Sequence, residues 1–362
     1  MIRRRSAGSI GVKTGTSGGI QRLALGFRRW SASDSHHRQA FGAVLIATAF
    51  ETSSIPGHVS LLIPHHLVAV LAAGRHQENF RMTADTARLK GNIHHSIVFW
   101  CFNIAGECWD MEKTCQVAVS LGCESIEICD PETWPTLKKY GLVCALAPNG
   151  MPGAPFMRGF NNPEFHAEVI AATKRMIDAC AEYGFPNVIA FTGYKWLNPE
   201  DPSSGEISAE DGAANCVAAL KLLAPYAEAK NVTICLEHLN TRDGSHPMKG
   251  HPGYQGDDID YVADIVRRVG SPRVKLLFDI YHVQLMNGDV IRRLEENRDI
   301  LGHIHTAGNP GRCELDENQE INFPPILRKL VELGYTGYVG HEFIPTRDPL
   351  AGLQQAVQVC DV

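Results

Sequence analysis

The chain has 362 residues, with 34 Lys and Arg against 40 Asp and Glu, and a formal net charge of −6 at pH 7. The charge is uneven, because residues 1–90 hold 12 basic and 4 acidic residues while the remainder holds 22 and 36. The acidic remainder lacks the basic footprint of a nucleic-acid-binding protein, so we expect no nucleic-acid partner.

Residues 1–90 form a basic extension without a sustained hydrophobic period. The apolar run 40–50 is too short to cross a bilayer and the run 59–73 is interrupted by Pro-His-His, so we expect no membrane partner. We expect this extension to be either disordered or an artefact of the assigned start, with translation beginning at Met82. Its Arg- and Ser-rich, acid-poor start also fits an export or transit signal, the alternative to a cytoplasmic location.

Eleven cysteines occur without the close pairs of a zinc site. Several lie inside apolar runs or helical patterns, as Cys144 and Cys235 do. The pattern predicts buried, reduced thiols in a cytoplasmic protein.

Strand and helix signals alternate through residues 91–362. The predicted strands are 96–102, 125–129, 143–147, 187–192, 232–237, 274–279, 302–306 and 337–343. The predicted helices are 110–121, 131–140, 163–183, 209–229, 259–269, 290–297, 326–333 and 350–360. Apolar strands that alternate with helices indicate a parallel sheet. Because the long loops follow strands and the helix-to-strand links are short, we predict an α/β fold, a single (β/α)8 TIM barrel with its site where the strands end.

Four of these strands end in an acid or a histidine. The residues are Glu237 in CLEHLN, Asp279 in LLFDIYH, His305 in HIHTAG and Glu342 in VGHEF. An unpaired carboxylate at the end of an apolar strand is costly to bury, and a cation would offset that cost. Three oxygens and one nitrogen predict a divalent metal site, for Mn²⁺ or Mg²⁺ first and for Co²⁺ or Zn²⁺ as alternatives. The competing interpretation is a set of structural ion pairs.

His303 lies two residues before His305 and shares its face of the strand. We choose His305 as the ligand because it is nearer the end of the strand, and expect His303 to support it or to lie in the barrel interior. His341 should point away from Glu342, toward the helices.

Five further residues are candidate substrate ligands. His282 lies just beyond Asp279, Asp243 lies in the long loop after strand 5, and Arg312 offers a bidentate partner for a carboxylate. Glu320 reads equally well as a helix-entry residue, and Asn149 as a turn residue.

The phrases CLEHLNTRD, FDIYH, HIHTAGNPGR, EINFP and GHEF together resemble the hydroxypyruvate isomerase family, over about residues 96–362. That family belongs to the xylose-isomerase-like barrels, with sugar isomerases, ketose 3-epimerases and AP endonucleases as relatives. The resemblance implies that Glu237, Asp279, His305 and Glu342 bind a divalent metal and that the two glutamates transfer the proton. Some isomerase members carry Gln where His305 stands, whereas the epimerases carry His.

The expected activity is isomerisation of a small hydroxy-carbonyl substrate through an enediolate, with hydroxypyruvate converted to tartronate semialdehyde. The alternatives are 3-epimerisation of a ketose, isomerisation of another sugar, and a non-catalytic sugar-binding barrel. Phosphodiester cleavage needs more histidines at the strand ends and a less acidic surface. The expected partner is therefore a small molecule, and a homo-oligomer is compatible with the sequence.

Overall fold

The computed structural model describes residues 89–104 and 106–362, so the expectations for the N-terminal extension lie outside the described residues. The strands are β1 (His94–Val98), β2 (Ser125–Glu127), β3 (Asn187–Phe191), β4 (Trp196–Asn198), β5 (Asp201–Glu206), β6 (Thr233–Glu237), β7 (Val274–Asp279), β8 (Leu301–Thr306) and β9 (Tyr338–His341). The helices are α1 (Phe99–Asn103), α2 (Met111–Leu121), α3 (Trp134–Lys139), α4 (His166–Tyr183), α5 (Ala209–Lys230), α6 (Ile259–Val269), α7 (Ile280–Met286), α8 (Val290–Glu296), α9 (Phe323–Glu332) and α10 (Pro349–Cys360).

Seven strands form one parallel sheet in the order β2-β1-β9-β8-β7-β6-β3. The segment 143–147 lies between the two outer strands, where Val143 bridges to Ser125 and Ala147 bridges to Val188. This segment links β2 to β3 and closes the sheet into a ring. The predicted (β/α)8 barrel is confirmed, with its third strand reduced to two isolated bridges.

One local prediction was wrong, and two elements were missed. The first strand ends at Val98 instead of residue 102, and the aromatic run after it forms α1. Aromatic residues favour strands, but here the chain turns, with Trp109 N donating to Phe102 O at 2.8 Å. The loop after β3 contains the antiparallel hairpin β4–β5. Helix α7 was missed, and it begins at once because the Asp279 carboxylate accepts from Tyr281 N at 2.7 Å and caps it.

Apolar faces of the helices pack against the outside of the sheet. Helix α6 shows why: its buried residues are spaced three and four apart, Asp258 caps its start and Gly270 ends it in a left-handed conformation. All eleven cysteines lie in the described part of the chain, where they are free thiols and nine are buried. None of the helices described here has the length and apolar character needed to cross a bilayer.

Candidate metal centre

The four predicted ligands meet at the mouth of the barrel. Glu237 and Asp279 are the last residues of β6 and β7, His305 lies on β8, and Glu342 follows β9. One ligand atom from each lies within 4.8 Å of those of the others. All four side chains are buried, with at most 4% of the residue exposed. We call these four residues the mouth cluster.

The mouth cluster contains buried polar atoms whose close protein neighbours do not offer hydrogen-bonding geometry. Glu237 Oε1, His305 Nδ1 and Glu342 Oε2 are buried and lack a partner in hydrogen-bonding geometry. His305 Nδ1 is 2.7 Å from Glu342 Oε2 and 3.6 Å from Glu237 Oε1, so the atoms converge without bonding to one another. Buried polar atoms are rarely left unpaired. Three oxygens and one nitrogen fit a divalent cation in the centre.

Arg312 partly neutralises the mouth cluster. Its Nη2 lies 2.5 Å from Glu342 Oε2 and 3.4 Å from Asp279 Oδ2. Nε donates to the Glu342 carbonyl oxygen at 3.2 Å, and Nη1 donates to that of Met248 at 2.6 Å. The arginine that we predicted for a substrate carboxylate is therefore paired with two candidate ligands in this structure.

The two glutamates differ in acidity. Burial, and then repulsion from Glu342, raises the pKa of Glu237 to about 7. Burial also raises the pKa of Asp279 to about 6, against the opposing effect of Arg312. Burial opposes ionisation of Glu342 as well, but Arg312 and His305 lower its pKa to about 2. Glu237 is therefore the carboxyl group poised to exchange a proton near neutral pH.

Glu127, the last residue of β2, was not among the predicted site residues. Its Oε1 lies 2.7 Å from His305 Nε2 and 2.9 Å from His303 Nε2, and all three side chains are fully buried. One feature of the sequence could have pointed to Glu127, because it is an acidic residue inside the otherwise apolar strand segment SIEIC. Both histidines reach the barrel interior, as the alternation of β8 predicts.

His282 directs one ring nitrogen toward the mouth cluster. Its Nδ1 accepts hydrogen bonds from Asn240 N at 3.1 Å and from Asn240 Nδ2 at 2.7 Å. The ring hydrogen therefore resides on Nε2, which is buried without a hydrogen-bond partner and lies 3.5 Å from Asp279 Oδ2. Burial, then the nearby Arg312, lowers the pKa of His282 well below its ordinary value, which keeps the ring neutral.

A cavity of about 490 Å³, open mouth included, adjoins the mouth cluster. Its walls are mostly apolar and include Trp100, whose Nε1 donates to Glu342 Oε1 at 3.0 Å. Asn149 also lines it, although its Oδ1 accepts from Met151 N at 3.1 Å as a turn residue would. His251, which we did not predict, packs its ring 4.0 Å from that of Phe156, centroid to centroid.

Three of the predicted substrate ligands do not line this cavity, namely His282, whose Nε2 faces Asp279, and the two acids Asp243 and Glu320. Asp243 accepts from Ser245 Oγ at 2.5 Å and faces Tyr281 Oη at 3.4 Å. Glu320 is exposed, and its Oε1 accepts from Asn309 Nδ2 at 2.5 Å. The structure does not bring either carboxylate to the mouth cluster, and their substrate role stays a prediction.

The chain is similar to known proteins in sequence and in fold. The model of the xylose isomerase-like TIM barrel family matches residues 115–361. The 2-oxo-tetronate isomerase of Cupriavidus necator is 36% identical over 154 residues, which cover 41% of this chain and 56% of that protein. The hydroxypyruvate isomerase of Escherichia coli is 28% identical over 147 residues, which cover 41% and 54%. The match thus spans about half the length of these relatives.

A crystal structure of a family 2 AP endonuclease from Brucella melitensis superimposes with a TM-score of 0.60, over 72% of this chain and 97% of that one. At 22% sequence identity this likeness shows the fold alone. The family match covers more than half of the chain and includes all four residues of the mouth cluster. The chain therefore belongs to the xylose isomerase-like TIM barrel family.

Proposed function

We propose that the protein is a metal-dependent isomerase that moves a proton between adjacent carbons of a small hydroxy-carbonyl substrate. The leading reaction is conversion of hydroxypyruvate to tartronate semialdehyde. The observation that carries the proposal is the mouth cluster, whose unsatisfied buried atoms adjoin a cavity. Relatives named 2-oxo-tetronate isomerase and hydroxypyruvate isomerase support the reaction class.

Glu237, Asp279, His305 and Glu342 would hold the cation, with Mn²⁺ or Mg²⁺ favoured by the oxygen-rich set and Co²⁺ or Zn²⁺ as alternatives. When bound, the cation supplies Lewis-acid polarisation of the substrate's carbonyl and hydroxyl oxygens.

Glu237 is the proposed base. It takes the proton from the hydroxyl-bearing carbon, and the electron pair of that C–H bond forms the double bond of an enediolate. Glu342, which is ionised, takes the proton of the substrate hydroxyl and returns it to the adjacent carbon, while Glu237 passes its own proton to the former carbonyl oxygen, so that both carboxylates end as they began. Both carboxylates line the cavity. General acid–base catalysis of this kind contributes about 10²–10⁴-fold to a rate.

Three further residues orient the substrate in this proposal. His282 donates from Nε2 to a substrate oxygen, and Asn149 contacts the distal end. Arg312 is the one permanently charged cation among the described residues that line the cavity. It binds the carboxylate of an acid substrate by exchanging part of its contact with Glu342.

A ketose 3-epimerase is the second candidate. The specific observation in its favour is His305, since the chain resembles the epimerases at this position. Epimerisation removes and returns the proton at one carbon, so the same two glutamates serve both reactions.

The test is a substrate panel with the full chain, stripped by chelator and reloaded with Mn²⁺. Hydroxypyruvate, 2-oxo-tetronate and D-fructose are incubated in D₂O, and proton NMR follows product formation and deuterium uptake. We expect turnover of hydroxypyruvate or 2-oxo-tetronate, and a loss of about 10²–10⁴-fold in kcat for Glu237→Gln.

The matched control is His238→Gln, because His238 points away from the mouth cluster and its Nε2 contacts Asp257 O at 3.1 Å. We expect it to keep wild-type turnover. An active Glu237→Gln variant would refute the role of Glu237. Turnover of D-fructose alone would select the epimerase, and ligand binding without any turnover would select the sugar-binding barrel.

A further inference from the structure

Glu127 lies beneath the mouth cluster, in the interior of the barrel. It is separated from His305 by 178 positions in the chain, yet its Oε1 lies 2.7 Å from His305 Nε2. The same oxygen lies 2.9 Å from His303 Nε2. All three side chains are fully buried, so no water competes for these contacts. A buried carboxylate without such partners would be strongly unfavourable.

The absence of a side chain at Gly340 leaves room for the Glu127 carboxylate. A Cβ atom at residue 340 would lie 2.2 Å from Glu127 Oε1 and 2.8 Å from His305 Cδ2. Gly340 pairs with His305 in the register of β8 and β9. Any side chain at this position would therefore displace either the carboxylate or the ring.

The backbone next to Glu127 is strained. Ile128 has a φ of +50°, a left-handed conformation that a β-branched residue rarely adopts. Such a conformation persists only where the surrounding structure imposes it. The chain thus holds the end of β2 in an unfavourable geometry at the residue that follows Glu127.

We propose that Glu127 is a positioning residue that accepts the Nε2 hydrogen of His305 and so presents the Nδ1 lone pair to the mouth cluster. A carboxylate only accepts hydrogen bonds, so the facing nitrogen must carry the hydrogen. In a neutral ring the other nitrogen, Nδ1, is then the metal-binding atom. His303 donates to the same oxygen and fixes the carboxylate. This inference rests on the proposed metal centre and concerns how its nitrogen ligand is oriented.

The two ring nitrogens of His305 have different surroundings, which suit one to bind a metal and the other to be held by Glu127. His305 Nδ1 is buried without a hydrogen-bond partner, while Nε2 on the opposite side of the ring is bonded to Glu127. A carboxylate that holds the far nitrogen of a histidine ligand fixes the ring and makes the near nitrogen more basic. Loss of such a group typically weakens metal binding by about 10–100-fold.

The experiment measures the Kd for Mn²⁺ by calorimetry on the full chain, with Glu127→Gln as the main variant. The amide has the same shape but lacks the charge, so even with its oxygen facing Nε2 it offers His305 only a weaker, neutral acceptor. We expect the Kd to rise about 10–100-fold. Glu127→Asp keeps the charge but places the oxygen farther from His305, so the Kd for Mn²⁺ should rise here too. This variant serves as the test if Glu127→Gln does not fold.

Two comparisons separate positioning from a structural role. The melting temperature of the metal-free variant should differ from that of metal-free wild type by less than the rise that Mn²⁺ produces in wild type. With Co²⁺ as the probe, the visible absorption of the variant should differ from that of wild type, because the nitrogen ligand is reoriented. A lower metal-free melting temperature with an unchanged Mn²⁺ Kd and Co²⁺ spectrum would show that Glu127 only supports the fold.

Other outcomes also decide the matter. Two Mn²⁺ ions per chain, one of them lost in Glu127→Gln, would make Glu127 a direct ligand and overturn the inference. A wild-type protein that binds no Mn²⁺ would reject both the metal centre and the inference. A wild type that binds Mn²⁺ but isomerises nothing, with weaker binding in Glu127→Gln, would reject the proposed reaction and keep the inference.

Discussion

Two buried polar groups lie on opposite faces of β8 and β9, and only one of them has the character of a site. The mouth cluster uses His305 and Glu342. The outer histidine pair, His95 and His341, lies on the other face, where His341 contacts His95 at 3.1 Å and Thr306 at 3.0 Å. Side chains alternate along a strand, so neighbours in sequence are divided between these groups.

The pKa values of the histidines in the two groups shift in opposite directions. Burial lowers the pKa of His95 to about 4 and that of His341 well below its ordinary value, so both rings are neutral. Burial acts in the same direction on His305, but Glu342 and Glu127 raise its pKa well above the ordinary value. Burial of a histidine therefore does not identify a site; unsatisfied acids around it do.

The largest expected effect comes from removing one negative ligand while keeping its structural role. Asp279→Asn retains a side chain that can cap α7, since Asn and Asp cap helices equally well. We expect the Kd for Mn²⁺ to rise by more than about 100-fold, beyond the effect typical of a supporting residue. Calorimetry on the purified variant measures it.

The matched control is Asp258→Asn, the same change at the cap of α6. We expect its Mn²⁺ affinity to equal that of wild type. Equal losses in both variants would mean that helix capping, and not ligation, explains the effect.

The next effect is a pH dependence that only the mouth cluster should produce. In the metal-free fold the pKa of Glu237 is about 7 and that of Asp279 about 6, both raised above their ordinary values by burial. Their protonated forms therefore stabilise the metal-free fold below about pH 4, and this contribution is lost as the pH rises through 6 and 7. A cation must displace these protons.

Mn²⁺ should accordingly bind at least about tenfold more tightly at pH 8 than at pH 6. Calorimetry at both values, with the number of protons released obtained from buffers of different ionisation enthalpy, checks this. An affinity that does not change over this range would contradict the protonated state of Glu237.

The sequence predicted the convergence of the mouth cluster because parallel strands end at one edge of a barrel. Apolar runs ending in Glu237 or Asp279 were enough for that. Glu127 was missed because its partner comes from the far side of the interior, and no local pattern records such a pair. Asp243 and Glu320 show the opposite error. Both are loop residues that were predicted to contact the substrate, but their carboxylates accept hydrogen bonds from other groups of the chain. The conformation of a loop depends on contacts that spacing does not contain.

The smallest expected effect on metal binding comes from the outer histidine pair. His341→Phe keeps a ring to stack on His95, whose ring centroid lies 5.3 Å away, but removes the hydrogen bonds to His95 and Thr306. Leaving buried polar groups unpaired should lower the free energy of unfolding by about 1–3 kcal/mol, as measured by denaturant titration. The Kd for Mn²⁺ should not change, although His341 adjoins the ligand Glu342, because the two side chains occupy opposite faces. A weaker Mn²⁺ affinity in this variant would show that the two faces are coupled through the strand.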